Sequence, residues 1–315
     1  MRLIDASLCG LDAELMDVSE IRRLAHSLLE FGIEALLVTP RIAECLHGIE
    51  KRCRVFMQYR GNDGVEHLRD LYAAYEDTEE EPNVCGFDYR EWKRAKNQRM
   101  GDLEIFSPDQ SLYFGDYSSE YHRILRATDG DICLNAGKSG VFSTALSYEW
   151  INAGGNDVLT SFFGFGGYAP TEELLTVLFV HNMLPNTMDV TMMKSLSMQF
   201  ATALNYRIPP HKAVVGAHIF FVESGVHVNG IQKNTSCFEP FSPDKIGAHR
   251  TIMIGTHASP SMIGQILERN GIQPAPEVMS ELVCRVRNAA RGGKKNPQES
   301  DIMELYLKIT GERAG

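Results

Sequence analysis

From residue 2 to residue 180 the sequence keeps switching between short apolar runs and stretches of helical periodicity. That alternation restricts the fold more than any other feature. "RLIDASL" (2–8), "EALLVTP" (34–40), "CRVFMQY" (53–59), "LEIFS" (103–107), "DICLN" (131–135) and "DVLTSFF" (157–163) read as strands. Pro40 stops the second of them. Helical spacing lies between them. Asp17 is placed to cap a first helix with Glu20 three residues on, Ile21, Leu24, Ala25 and Leu28 share a face, and Gly32 closes it. "RIAECLHGI", "GVEHLRDLYAAYE" (64–76), "SSEYHRILRA" (118–127), "SGVFSTALSYEWINAGG" (139–155) and "TEELLTVLFV" (171–180) read as further helices. Strands separated by helices imply a parallel sheet, and six or seven βα units predict an α/β fold of the (β/α) TIM-type barrel class. An eightfold barrel needs one or two more units; "NVCGFDY" (83–89) is a candidate strand, so the barrel is complete or incomplete according to that region.

After residue 181 the pattern changes, which predicts a barrel domain over 1–181 and a linker with a helical C-terminal subdomain over 182–315. "MDVTMMKSLSMQFATAL" (188–204) is a Met-rich helix, "YRIPPHKAVVG" a Pro-broken connector and "SGVHVNG" (224–230) a loop. Helices follow near 261–269, 277–291 and 300–310; in the last, Ser300 is a candidate cap and Ile302, Leu305, Tyr306 and Ile309 share a face. "EDTEEEP" (76–82) reads as an acidic loop, and "REWKRAKNQR" (90–99) is strongly basic.

A net charge of −10 argues against a nucleic-acid partner, and the basic run "RGGKK" (291–295) reads as solvated chain after a helix. No apolar run approaches the ~20 residues that cross a bilayer, so no membrane role is expected. The first ten residues do not read as a signal peptide. Seven scattered cysteines with no C-x-x-C pair point to a reducing, cytoplasmic setting and to small buried side chains rather than disulfides.

The run "ESGVHVNGIQKN…FEPFSPDKIG…R…IGTHAS" (223–259) resembles the homocitrate synthase and 2-isopropylmalate synthase family, with its E-S-G-I-H-V-D-G-I-x-K-N, Y-E-P-F and G-K-H-S-G motifs. "RIPPHKAVVGAHIF" is similar to the family's connector. Upstream, "LIDASLCGLDAEL", "ICLNAGKSG" and "FGFGGYAPTEELL" stand where the family has L-I-D-T-T-L-R-D-G-E, H-x-H-N-D-x-G-x-A and N-G-x-G-E-R-A-G-N-A-x-L-E-E. The resemblance implies a Claisen-type condensation of acetyl-CoA with a 2-oxo acid. That chemistry uses a divalent metal to polarise the oxo acid, a base to take a methyl proton and an acid to protonate the alkoxide.

Aligned on those motifs, Cys9 stands at the family's arginine and Gly10 at its metal-binding aspartate. Ile132 and Leu134 stand at the two histidines and Thr171 at the asparagine. Hydrocarbon side chains carry no lone pair for a cation, so no metal ligands and no bound cofactor are expected in this chain. His227 matches the family's catalytic acid, which the resemblance implies is delivered to a neighbouring subunit's barrel; the alternative is a histidine that only packs in its loop. Phe238 replaces the family tyrosine and loses its hydroxyl. His257, in "GTHAS", reads as structural. Thr171 reads as an N-cap, "GFGG" (164–167) as a turn after a strand, and Cys9 and Cys133 as small residues filling the vacated site.

Three functions follow. The first is a non-catalytic or complementary subunit, a homodimer or a heteromer with an intact family homologue, lending His227 in trans. The second is an autonomous acyltransferase with an altered site, and the third a repurposed protein that binds a small acid or regulates another enzyme.

Overall fold

The computed structural model describes residues 1–49, 52–60, 66–70, 84–88, 103–107, 116–127, 131–292 and 296–311. The acidic 76–82 segment, the basic 90–99 segment and Lys294–Lys295 lie outside the described residues. The chain divides into two compact units, Met1–Gly216 and Ala217–Gly315.

In the first unit, β1 (Arg2–Asp5), β2 (Ala35–Val38), β3 (Arg54–Arg60), β4 (Glu66–Asp70), β5 (Val84–Asp88), β6 (Leu103–Ser107), β7 (Asp131–Leu134), β8 (Asp157–Ser161) and β9 (Ala169–Pro170) form one sheet in sequence order. β1 also pairs with β8, so Ile4 has Ala35 on one side and Leu159 on the other. All these pairings are parallel except those of β4, which runs antiparallel to both β3 and β5. The helix expected over 64–76 is therefore a strand where it is described. Its backbone pairs with β3, His67 opposite Tyr59 and Leu68 opposite Gln58, and tertiary pairing overrides helical propensity there. The strand expected within 83–89 is β5.

Around the sheet lie α1 (Val18–Phe31), α2 (Pro40–Cys45), α3 (Tyr117–Ala127), α4 (Ser143–Asn152), α5 (Thr171–Val180) and α6 (Met193–Ala203). α1 follows its sequence signals. The Asp17 carboxylate accepts the Ser19 N–H at 2.7 Å, Ile21, Leu24, Ala25, Leu28 and Phe31 are buried, and Gly32 ends the helix at φ 104°. α6, the Met-rich helix, belongs to this unit and not to the C-terminal one. It packs on α1, where Arg23 donates to Gln199 Oε1 at 2.8 Å. Any side chain at Gly32 would run into Met188. The boundary between compact units therefore falls at Gly216, beyond the expected 181.

Ile4, Ala6, Ala35, Leu37, Phe56, Cys133 and Leu159 form one buried cluster with Cys9 and Tyr168 packed against it. It holds strand and strand-end residues and no helix residue, so it is the face of the sheet turned away from the helical layer.

The second unit contains β10 (Phe221–Val222) paired with β11 (Thr251–Ile252), then α7 (Gly225–Lys233), α8 (Pro260–Arg269), α9 (Pro276–Gly292) and α10 (Glu299–Thr310). Ile263, Ile266, Leu267, Leu282, Val283, Val286, Ile302 and Tyr306 join the last three helices in one core. α10 is capped by Gln298, not Ser300. The Gln298 side chain accepts from the backbone of Asp301, and the Asp301 carboxylate accepts the Gln298 N–H at 2.8 Å. Among the described residues no helix is long and apolar enough to cross a membrane.

Candidate functional site

The strand ends of the first unit hold the residues that the sequence motifs single out. β1 ends at Asp5, which is fully buried. Its carboxylate accepts the Ser7 N–H at 2.9 Å and the Thr171 hydroxyl at 2.7 Å. The Ser7 hydroxyl in turn accepts the Phe162 N–H at 2.7 Å, tying β1 to the turn after β8. Burial pushes the Asp5 carboxyl pKa up, against those same hydrogen bonds. Thr171 is the first residue of α5 rather than its cap; Pro170 holds the cap position, and the threonine hydroxyl is spent on Asp5.

A short 3-10 turn, Ser7–Gly10, carries Cys9 and Gly10. The Cys9 thiol donates to the Leu37 carbonyl at 3.2 Å, and burial, with the Asp5 charge second, pushes its pKa to about 12. Gly10 is roofed. A Cβ there would lie 2.5 Å from Phe165 Cδ1 and 2.8 Å from Leu204 Cδ2, so not even alanine fits without displacing the Phe165 ring. Phe165 sits in the turn Phe162–Gly167, where Phe163, Gly164 and Gly166 have positive φ of 63°, 70° and 73°. "GFGG" is thus a turn after a strand, and its glycines fold the chain back over Gly10.

On β7 the residue in the inner cluster is Cys133. Side chains alternate along a strand, so Ile132 and Leu134 face the opposite way, toward the helical layer. The sequence alignment put these two at the family's histidine pair; on the strand Cys133 is the residue that joins the inner cluster, and Asn135 lies just past the strand end. Neither Cys133 nor Asn135 suits a cation. Cys133 is fully buried, with a thiol pKa raised well above its ordinary value by desolvation and then by Asp157. Asn135 Oδ1 already accepts the Gly137 N–H at 3.1 Å. Among the described residues no three His, Cys, Asp or Glu side chains converge on one point. A neutral thiol, a roofed glycine and a hydroxyl already donating are not the donor set a divalent metal requires.

Sequence reasoning passed over Glu172 and Lys212. Glu172 is buried at the start of α5, accepts the Phe163 N–H at 2.9 Å and faces Lys212 Nζ at 3.1 Å; Lys212 also pairs with Glu173. Burial raises the Glu172 carboxyl pKa while Lys212 pulls it the other way. Burial opposes the Lys212 charge, but the two carboxylates outweigh it, and the ammonium stays protonated. This pair fastens the "PPHK" connector to the unit. The paired acids of "TEELL" and the lone lysine after Pro209-Pro210 were its sequence signal.

In the second unit "SGVHVNG" is the start of helix α7, not a loop. Its glycines are packing surfaces. A Cβ on Gly225 would strike the Ser259 side chain at the cap of α8, one on Gly230 the Phe238 ring, and one on Gly255 the Glu223 carboxylate. His227 is exposed on the first turn of α7, its ring 5.7 Å from that of Phe238 at an interplanar angle of 55°. The "FEPF" segment is fixed by Glu239, which accepts from Arg250 Nε at 2.7 Å and Nη2 at 2.6 Å. His257 is exposed, before Ala258, which is buried in the unit's core.

A family model described as "Homocitrate synthase post-HMGL domain-like" matches residues 214–294. The chain is similar to homocitrate synthases and citramalate synthases. Among these relatives, Homocitrate synthase 1 of Nostoc sp. is 30% identical over 166 residues, covering 52% of this chain and 44% of that protein. The homocitrate synthase omega subunit of Clostridium pasteurianum is 28% identical over 242 residues, 77% of this chain and 64% of that one. A putative (R)-citramalate synthase of Archaeoglobus fulgidus is 22% identical over 316 residues, 96% of this chain and 64% of that one. The chain spans less than two thirds of the length of each of these relatives. The carboxyl transferase domain of Rhizobium etli pyruvate carboxylase overlays at a TM-score of 0.42 and 11% identity, covering 99% of this chain and 68% of that domain, a likeness too slight to carry an argument.

Proposed function

We propose that this chain is a non-catalytic, complementary subunit of an acetyl-CoA and 2-oxo acid condensing enzyme, and that it lends His227 to the barrel of an intact family homologue. The observation that carries the reading is the contrast at two positions. Gly10, where the family binds its metal, lies under Phe165 and Leu204. His227 is exposed on a helix that close glycine contacts and the Glu239–Arg250 pair hold in shape. The relative named as an omega subunit supports a divided assembly. In this reading the first unit is a (β/α) barrel whose ladder runs from β1 through β8 and back to β1, interrupted by the reversed β4. It serves as a scaffold, and the second unit carries the acid that protonates the new alkoxide. The assembly works in the cytoplasm and needs no cofactor held by this chain.

Free thiol release from acetyl-CoA tests the proposal. The chain alone, supplied with zinc, manganese or magnesium and 2-oxoglutarate, is expected to give none above background. Mixed with an intact homologue it is expected to raise that protein's rate, and His227→Ala should lower the joint rate at least ~10²-fold, a general-acid contribution. Turnover by the chain alone, or an unchanged joint rate with His227→Ala, would contradict the proposal.

A further inference from the structure

The second unit contains a cleft of about 610 Å³ that the reading above does not use. Its walls include Ser224 and Gly225 at the start of α7, Thr256 and His257 before α8, and Arg287 and Arg291 on α9. Its volume is in the range of small-molecule sites, roughly 300–1,000 Å³.

The charges are what make it a site. Arg287 and Arg291 are four residues apart and so share one face of α9, an arrangement that costs stability unless something offsets the repulsion. On the same helix Arg285 is paired with Glu281. Neither Arg287 nor Arg291 has a carboxylate partner among the described residues. Arg287 is half-buried and held in place, its Nε donating to the Ala258 carbonyl at 2.8 Å, which leaves the terminal guanidinium nitrogens free to bond elsewhere. Opposite them, α7 begins without a side-chain cap, since the Ser224 hydroxyl makes no capping bond. Its first N–H groups and the positive end of its dipole face the same space. The carboxylate nearest in sequence, Glu223, packs against Gly255 and is not part of the wall. In a chain of net charge −10, this is a concave, cationic spot with hydroxyl and amide donors and no acid of its own.

We propose that this cleft binds a small, multiply charged oxyanion through Arg287, Arg291 and the amino end of α7. Phosphate and carboxylate groups share the chemistry that two guanidinium groups and a helix start recognise. The proposal stands independently of any role for His227 in trans.

The full chain is titrated by calorimetry in phosphate-free, low-salt buffer, with inorganic phosphate in one arm and citrate in the other. At least one arm should bind with a Kd of about 1 mM or tighter. Binding in the phosphate arm alone assigns a phosphorylated ligand, and binding in the citrate arm alone assigns a polycarboxylate. Arg291→Ala, an exposed last-turn change, should weaken binding at least ~10-fold, the loss of a charge-assisted pair. Arg287→Lys, which keeps charge but loses the fork, should weaken it as well. Arg285→Ala should leave it unchanged. Circular dichroism checks that each variant is folded. No heat in either arm up to about 10 mM, or binding that survives both Arg291→Ala and Arg287→Lys, would overturn the proposal.

Discussion

At the strand ends of the first unit, the positions that the motif resemblance aligns with metal-site residues are engaged in packing and internal hydrogen bonds. Gly10 lies beneath an aromatic ring, Cys9 is a neutral thiol bonded to a carbonyl, and the Thr171 hydroxyl is bound to Asp5. In the second unit the motif residues that shape the backbone are in place and the histidine they present is exposed. Gly225 and Gly230 allow contacts that no side chain permits, and Glu239 and Arg250 hold the following segment. The difference teaches that losing ligands and losing a site are separate events. A vacated site that still had room could regain a cation by substitution; one filled by Phe165 cannot do so without repacking.

Gly10→Asp is the sharpest way to break this comparison. It puts a carboxylate at the position that the motif resemblance aligns with a metal-binding aspartate, and the new side chain must displace Phe165 and Leu204. Urea denaturation should show a loss of roughly 3 kcal/mol, partly recovered by adding Phe165→Ala. Little change in stability would mean that the ring is a loose cover and that the site is nearer to restoration than argued above.

The second unit should respond to crowding in the same way. Gly230→Ala drives a methyl into the Phe238 ring and should cost about 2 kcal/mol by the same measurement. Combining it with Phe238→Leu should return part of that loss, and a purely additive pair would mean the two residues do not press on each other.

The smallest expected effect concerns pH in the first unit. Burial raises the Asp5 pKa, so the folded chain favours the neutral carboxyl. The stability this contributes is full below the unfolded pKa, about 3.9, and is lost as pH rises through the folded value. Asp5→Asn removes that titration. Relative to the parent, the variant should gain stability on going from pH 4 to pH 8. A variant that instead loses stability relative to the parent over that range would place the charged form, not the neutral one, as the favoured species.

Much of the fold was legible because alternating apolar and amphipathic segments obey simple periods. α1, with its Asp17 cap and Gly32 stop, and the three C-terminal helices follow from spacing alone. Other features depended on contacts distant in sequence. Residues 66–70 carry helical propensity but are held by a neighbouring strand. "SGVHVNG" has two glycines and two β-branched valines, which argue for a loop; it is helical because those glycines fit against Ser259 and Phe238. The candidate site was half legible. Motif alignment located Cys9, Gly10 and Thr171, yet it could not show that Phe165 covers Gly10 or that Cys133, rather than its two neighbours, belongs to the inner face. Nor could it show that the Met-rich helix packs on α1, which carries the first unit to Gly216.

Metal content tests the central claim most directly. The full chain, equilibrated with zinc, manganese or magnesium and freed of loose ions by gel filtration, is assayed by elemental mass spectrometry. The account predicts fewer than roughly one ion per ten chains, because among the described residues no preformed set of charged donors converges at the strand ends. One tightly held ion per chain, lost when Asp5 and Cys9 are replaced, would contradict it.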